Sequence, residues 1–85
     1  MNPETHIAQR WTRWHSDDWT LVVVQTDTGE FFYTASRGSV EDSMKPASSK
    51  VDAQHRAEEI VRRSGHRCVA RCSFWVPDTP EDLAR

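Results

Sequence analysis

Eighty-five residues carrying a net charge of −2 and four tryptophans describe one small domain, residues 1–85, whose core has to draw much of its burial from aromatics. The longest aliphatic run, Leu21-Val22-Val23-Val24, is far too short to span a bilayer, the N-terminus lacks a secretory h-region, and two cysteines make no disulfide framework, so a cytoplasmic location without a membrane partner is expected. Charge is −4 over Met1–Asp42 and +2 over Ser43–Arg85, but three arginines of the basic half are matched to acids on one helix, which argues against a nucleic-acid patch.

In chain order, Asn2-Pro3-Glu4 is a helix-start signal. Ile7, Trp11 and Trp14 then recur at i, i+4 and i+7, which predicts a short helix over residues 3–14, with a leading strand as the alternative for the segment 1–15. Ser16-Asp17-Asp18 reads as a turn. Trp19–Thr26, rich in β-branched residues, reads as a strand, Asp27-Thr28-Gly29 as a tight turn and Glu30–Ser36 as the return strand. Residues 37–48 form a long connection in which Ser39 and Asp42 could cap a brief helical turn, and nothing in it resembles a phosphate cradle.

Ser49 followed by Asp52 is a capping signal; Ala53, Ala57, Ile60, Val61 and Ser64 make a stripe at helical period, and Gly65 stands where a left-handed C′ residue is wanted. Asp52–Arg56, Glu58–Arg62 and Glu59–Arg63 are acid-before-base pairs at i,i+4. Beyond the glycine, Arg67–Val76 alternates: Cys68, Ala70, Cys72, Phe74 and Val76 share one face, and Arg67, Val69, Arg71, Ser73 and Trp75 the other. Pro77 ends that strand, and residues 77–85 form a short tail with at most one helical turn.

The order is therefore (α)ββαβ. An α+β fold follows, with a three-stranded antiparallel sheet in order 2-1-3 and one main helix on one face. Both faces of that sheet are apolar: Leu21 and Val23 oppose Val22 and Val24, Phe31 and Tyr33 oppose Phe32, and Phe74 opposes Trp75. One helix covers one face. The other needs the Ile7/Trp11/Trp14 stripe, a second copy of the chain or a partner protein.

Candidate chemistry is sparse. His66-x-Cys68-x3-Cys72 invites a zinc reading, but on a straight strand Cys68 and Cys72 stand about 13 Å apart, too far to share an ion or a disulfide. They read instead as small core hydrophobes, and neither sits where a thiolate is stabilised. His55 falls opposite the apolar stripe, His66 follows the glycine stop and faces the helix carbonyls, and His6 and His15 flank the tryptophan segment without a matched carboxylate. The adjacent acid pairs Asp17-Asp18, Glu41-Asp42, Glu58-Glu59 and Glu81-Asp82 diverge on any regular element. Asp17, Asp18, Asp27, Glu30, Glu41 and Asp42 can form a loose acidic surface at the hairpin ends.

No catalytic residue, metal or cofactor is expected. The function read from the chain is a small non-enzymatic protein-binding module, an inhibitor or adaptor, using Trp11, Trp14, Phe32, Trp75, Glu41 and Asp42 toward another protein or, as a homodimer, toward itself. The alternative is single-stranded nucleic-acid binding, for which Arg10, Trp11, Arg13 and Trp14 interleave bases with stacking aromatics.

Overall fold

The computed structural model describes residues 7–38, 44–68 and 72–77. Strands β1 (Ile7–His15), β2 (Trp19–Thr26), β3 (Phe31–Arg37) and β4 (Lys45–Ala47) precede the helix α1 (Lys50–Arg63), and a two-residue strand β5 (Val76–Pro77) follows it. Among the described residues the fold is a small α+β arrangement of one helix and one antiparallel sheet in the order β4-β3-β2-β1-β5.

Two expectations are corrected here. The three-stranded sheet in order 2-1-3 is replaced by five strands. The helix expected over residues 3–14 is, from Ile7 onward, strand β1; residues 1–6 lie outside the described part. The Ile7/Trp11/Trp14 spacing fits a helix only when Thr12, Arg13 and His15 are left out. As a strand, the segment puts Trp11, Arg13 and His15 on one side, opposite Val23, Leu21 and Trp19, and Thr12 and Trp14 on the other, opposite Val22 and Thr20. β1 therefore takes the place beside β2 that the sequence assigned to residues 67–76. That later segment is strand only at Val76–Pro77, on the outer edge of β1, and residues 69–71 of it lie outside the described part.

Two turns set the registers. β1 and β2 are joined by Ser16-Asp17-Asp18, with both aspartates at φ 65°. Aspartate tolerates that left-handed conformation better than most residues, but at a cost that glycine avoids. β2 and β3 are joined around Gly29 at φ 87°, where the positive φ is free, and the Gly29 amide donates to the Thr26 carbonyl at 3.0 Å. Of the long connection, Lys45–Ala47 pairs with β3 as an edge strand in which Pro46 is tolerated. Residues 39–43, including Ser39, Glu41 and Asp42, are outside the described part.

The helix forms as its sequence dictates. Ser49, extended at φ −161°, accepts the Asp52 amide at 3.0 Å, and Asp52 in turn accepts the Ser48 amide at 3.0 Å. Arg62 and Arg63 occupy the last turn, and Gly65, at φ 90°, follows the cap residue Ser64. Asp52–Arg56 and Glu59–Arg63 pair as the spacing predicts. Glu58 does not reach Arg62, which pairs with Glu59 instead.

Ala53, Ala57 and Val61 are buried, and with Leu21, Val23, Tyr33, Ala35 and Trp19 they form the core between helix and sheet. Alanine at two of these helix positions lets the helix approach closely over β2 and β3. Trp11, Ile60, Ala47 and Trp75 pack around this core, and Lys50 and Arg37 lie over Trp11 and Trp19 at 5.0 and 5.9 Å. The inner face of β1 lies to one side of the helix, and it is closed near His15 by the chain returning after Gly65.

Candidate functional site

The returning chain has little backbone structure of its own: residues 66–68 and 72–75 belong to neither helix nor strand. Ser73 ties it to β1. The Ser73 amide donates to the Trp14 carbonyl at 2.8 Å, the Ser73 hydroxyl accepts the Trp14 amide at 2.8 Å, and the Ser73 carbonyl accepts Arg13 Nε at 2.9 Å. These bonds hold the flanking side chains against the end of β1.

Around that anchor four soft donors converge. One ligating atom from each of His15, His66, Cys68 and Cys72 lies within 4.8 Å of every other. Cys68 Sγ is 3.5 Å from His15 Nδ1, and Cys72 Sγ is 3.4 Å from His66 Nε2. The two imidazoles meet edge to face, 5.0 Å between centroids. Their side chains are 2% and 3% exposed, so both rings are withdrawn from water almost completely.

Each imidazole has a carboxylate behind it. His15 Nε2 lies 2.8 Å from Glu58 Oε1, while Glu58 Oε2 accepts Arg13 Nη1 at 2.7 Å. An ionised carboxylate only accepts, so Nε2 carries the proton, and in the neutral ring this leaves the Nδ1 lone pair toward Cys68. His66 Nδ1 faces Asp17 Oδ2 at 3.6 Å, an ion-pair distance beyond hydrogen-bond reach that leaves this buried nitrogen without a hydrogen bond. The Ser16 amide points at Cys72 Sγ at 3.4 Å. Desolvation, with the Cys72 sulfur alongside, pushes the Cys68 thiol above its ordinary value.

The straight-strand assumption behind the rejection of a metal is thus overturned. The 13 Å separation does not exist: the two sulfurs lie within 4.8 Å of each other, and residues 66–68 and 72–75 belong to no strand. Cys68 and Cys72 are not core hydrophobes: Cys68 is exposed as a residue and Cys72 intermediate. His66 does not face the helix carbonyls, and His15 does have a carboxylate, supplied from 43 residues away by α1. His55 is exposed on the helix as expected, and a cleft lined by His55, Glu58 and Arg62 opens onto the cluster.

The expected binding residues are dispersed. Trp11 and Trp75 pack against the core on the helix side, whereas Trp14 stands on the opposite face, 49% exposed. Phe32 is half-buried on that outer face between Val24 and Pro46. Arg10, Trp11, Arg13 and Trp14 alternate across β1, and Arg13 is committed to Glu58 and Ser73; the four do not form one stacking platform. Glu41 and Asp42 lie outside the described residues. Two exposed residues that composition did not single out, Phe74 at 83% and Val76 at 46%, come to the same edge as Trp14.

Comparison with family models, with curated proteins and with solved structures returns no match. Among the described residues no helix is long and apolar enough to cross a membrane.

Proposed function

We propose that this chain is a small non-enzymatic binding module that engages another protein through the outer face of its sheet at the β1–β5 edge. The observation that carries this reading is the exposure of Trp14, Phe74 and Val76 along one edge, in a domain short of core. Val76 sits opposite Thr12, two residues from Trp14 on the same side of β1, and Phe74 adjoins the Ser73–Trp14 pairing. Large exposed apolar side chains grouped in this way suit a protein interface, and tryptophan is the side chain most enriched among residues that dominate binding energy. Trp75, between Phe74 and Val76, packs against the core, so the segment that presents the patch is itself anchored.

Nucleic-acid binding is the weaker reading, since Trp11 and Arg13 face the helix side. A photo-crosslinking side chain placed at Phe74, with one at the exposed helix residue Val51 as the control, tests the assignment. A partner crosslinked at Phe74 but not at Val51, whose complex with the purified chain weakens at least tenfold in Trp14→Ser, supports it. Equal crosslinking at both positions, or capture that nuclease abolishes, removes it.

A further inference from the structure

We infer that His15, His66, Cys68 and Cys72 form a structural zinc site that fastens the chain after α1 to the end of β1. The donor set is two imidazole nitrogens and two thiolates, the composition that tetrahedral structural zinc takes. The distances agree. With Zn–S of about 2.3 Å and Zn–N of about 2.0–2.1 Å, a tetrahedron has S···N edges of about 3.5 Å. The Cys68–His15 and Cys72–His66 sulfur–nitrogen contacts are 3.5 and 3.4 Å. All four donors come from this chain, so the coordination sphere closes without an open position for water or substrate, which marks the role as structural.

The surroundings independently fit a metal. Metal-bound histidine is normally oriented by a carboxylate on its other nitrogen. Glu58 does this for His15, and Asp17 stands behind His66. The Ser16 amide aimed at Cys72 Sγ is the donor a thiolate ligand takes. The His55/Glu58/Arg62 cleft supplies a path for the ion.

Two other occupations of the same atoms are less consistent. Cys68–His15–Glu58 has the connectivity of a nucleophile, base and orienting acid. A dyad of Cys68 and His15 leaves His66 and Cys72 in the cluster without a role. A Cys68–Cys72 disulfide would leave both buried imidazoles facing each other without a common ligand. Zinc accounts for all four residues and both carboxylates. It also explains how a segment held at Ser73 and by the two residues of β5 stays in place in a domain of 85 residues, a size at which metals commonly supplement the core.

The test uses the full chain, purified under reducing conditions without a histidine tag, and reads elemental zinc, cobalt spectra and thiol alkylation. Expected are one zinc per chain and, on replacement with Co2+, intense visible bands of a tetrahedral ion with sulfur-to-cobalt charge transfer. Both disappear in Cys68→Ser and Cys72→Ser and persist in His55→Ala. Because the cysteine variants can fail to fold, Glu58→Gln provides a second reading: the tetrahedral spectrum stays and affinity for Co2+ drops by about 10–100-fold. The Ser73 and Trp14 amides should be protected from exchange in the zinc form and lose protection on chelation. A chain without stoichiometric zinc, pale six-coordinate cobalt bands indifferent to the cysteines, a Cys68–Cys72 disulfide in the reduced preparation, or rapid alkylation of Cys68 with zinc present would each overturn the assignment.

Discussion

Glu58 on α1 holds His15 on β1: the carboxylate accepts the imidazole Nε2–H at 2.8 Å and, through its other oxygen, Arg13 at 2.7 Å. This hydrogen-bonded ion pair joins the helix to the inner face of β1, and it lies beside an imidazole that is 2% exposed. Glu58→Ala leaves that buried donor unpaired. A cost of about 1–3 kcal/mol follows, at the low end because the carboxylate itself is 30% exposed. The midpoint of urea unfolding should fall with an unchanged slope; a midpoint within error of the parent would show that Glu58 does not couple helix to strand.

At the other end of α1 the Ser49 cap and Asp52 act together. Ser49→Ala removes the acceptor for the Asp52 amide and should cost about 1 kcal/mol. The Asp52 carboxyl is held below its ordinary value of 3.8, first by the Ser48 backbone amide and then by Arg56. A carboxylate whose folded pKa is depressed stabilises the fold above its unfolded pKa and loses that contribution as the pH falls through the folded value. Asp52→Asn should therefore lower stability at neutral pH, and the gap to the parent should close in acid below 3.8. A gap constant between pH 7 and strong acid would rule out the carboxylate's charge as the cause.

Leu21 is fully buried between α1 and the sheet, in a core where two of the facing helix residues are alanine. Truncation there opens a cavity that small neighbours do not refill, so Leu21→Ala should cost about 2–5 kcal/mol. That is a large part of the stability of any domain this size. Val51, 72% exposed on the same helix, is the contrast: Val51→Ala should stay within about 0.5 kcal/mol of the parent. Thermal unfolding of the pair distinguishes a packed core from a loose one, since similar midpoints for both would mean that Leu21 is not in a close-packed site.

The helix, its caps, β2, β3 and both turns were legible because each is local: Ser49, Gly65 and Gly29 carry their own backbone requirement, and Trp19–Thr26 is rich in β-branched residues. β1 was misread because tryptophans at i+4 and i+7 from Ile7 satisfy a helical period by coincidence, and only pairing with β2 decides between the two. The His/Cys cluster was half visible. His66-x-Cys68-x3-Cys72 stands in the sequence, but alternation of small apolar residues made it look like a strand. His15 and its partner Glu58 come from elements whose approach no spacing encodes. The alternation set Phe74 and Val76 on the face of the cysteines, read as core, whereas Phe74 is 83% exposed and it is Trp75 that packs against the core; Trp11 and Trp14 on opposite faces follow only once β1 is a strand.

Asp17 and Asp18 share φ 65° in the turn after His15, yet their side chains have different work. Asp17 faces His66 at 3.6 Å; the Asp18 carbonyl accepts the Gly38 amide at 3.0 Å. Backbone strain of this kind persists where surrounding structure holds it, and it gathers at functional sites. Asp18→Gly removes the left-handed penalty and should be neutral or stabilising by up to about 1 kcal/mol. Asp17→Gly relieves the same strain but strips the carboxylate from His66, so its unfolding midpoint should change little while its affinity for Co2+ falls several-fold below that of Asp18→Gly. Equal metal affinity in the two glycine variants would show that the Asp17 side chain is in the turn for its backbone alone.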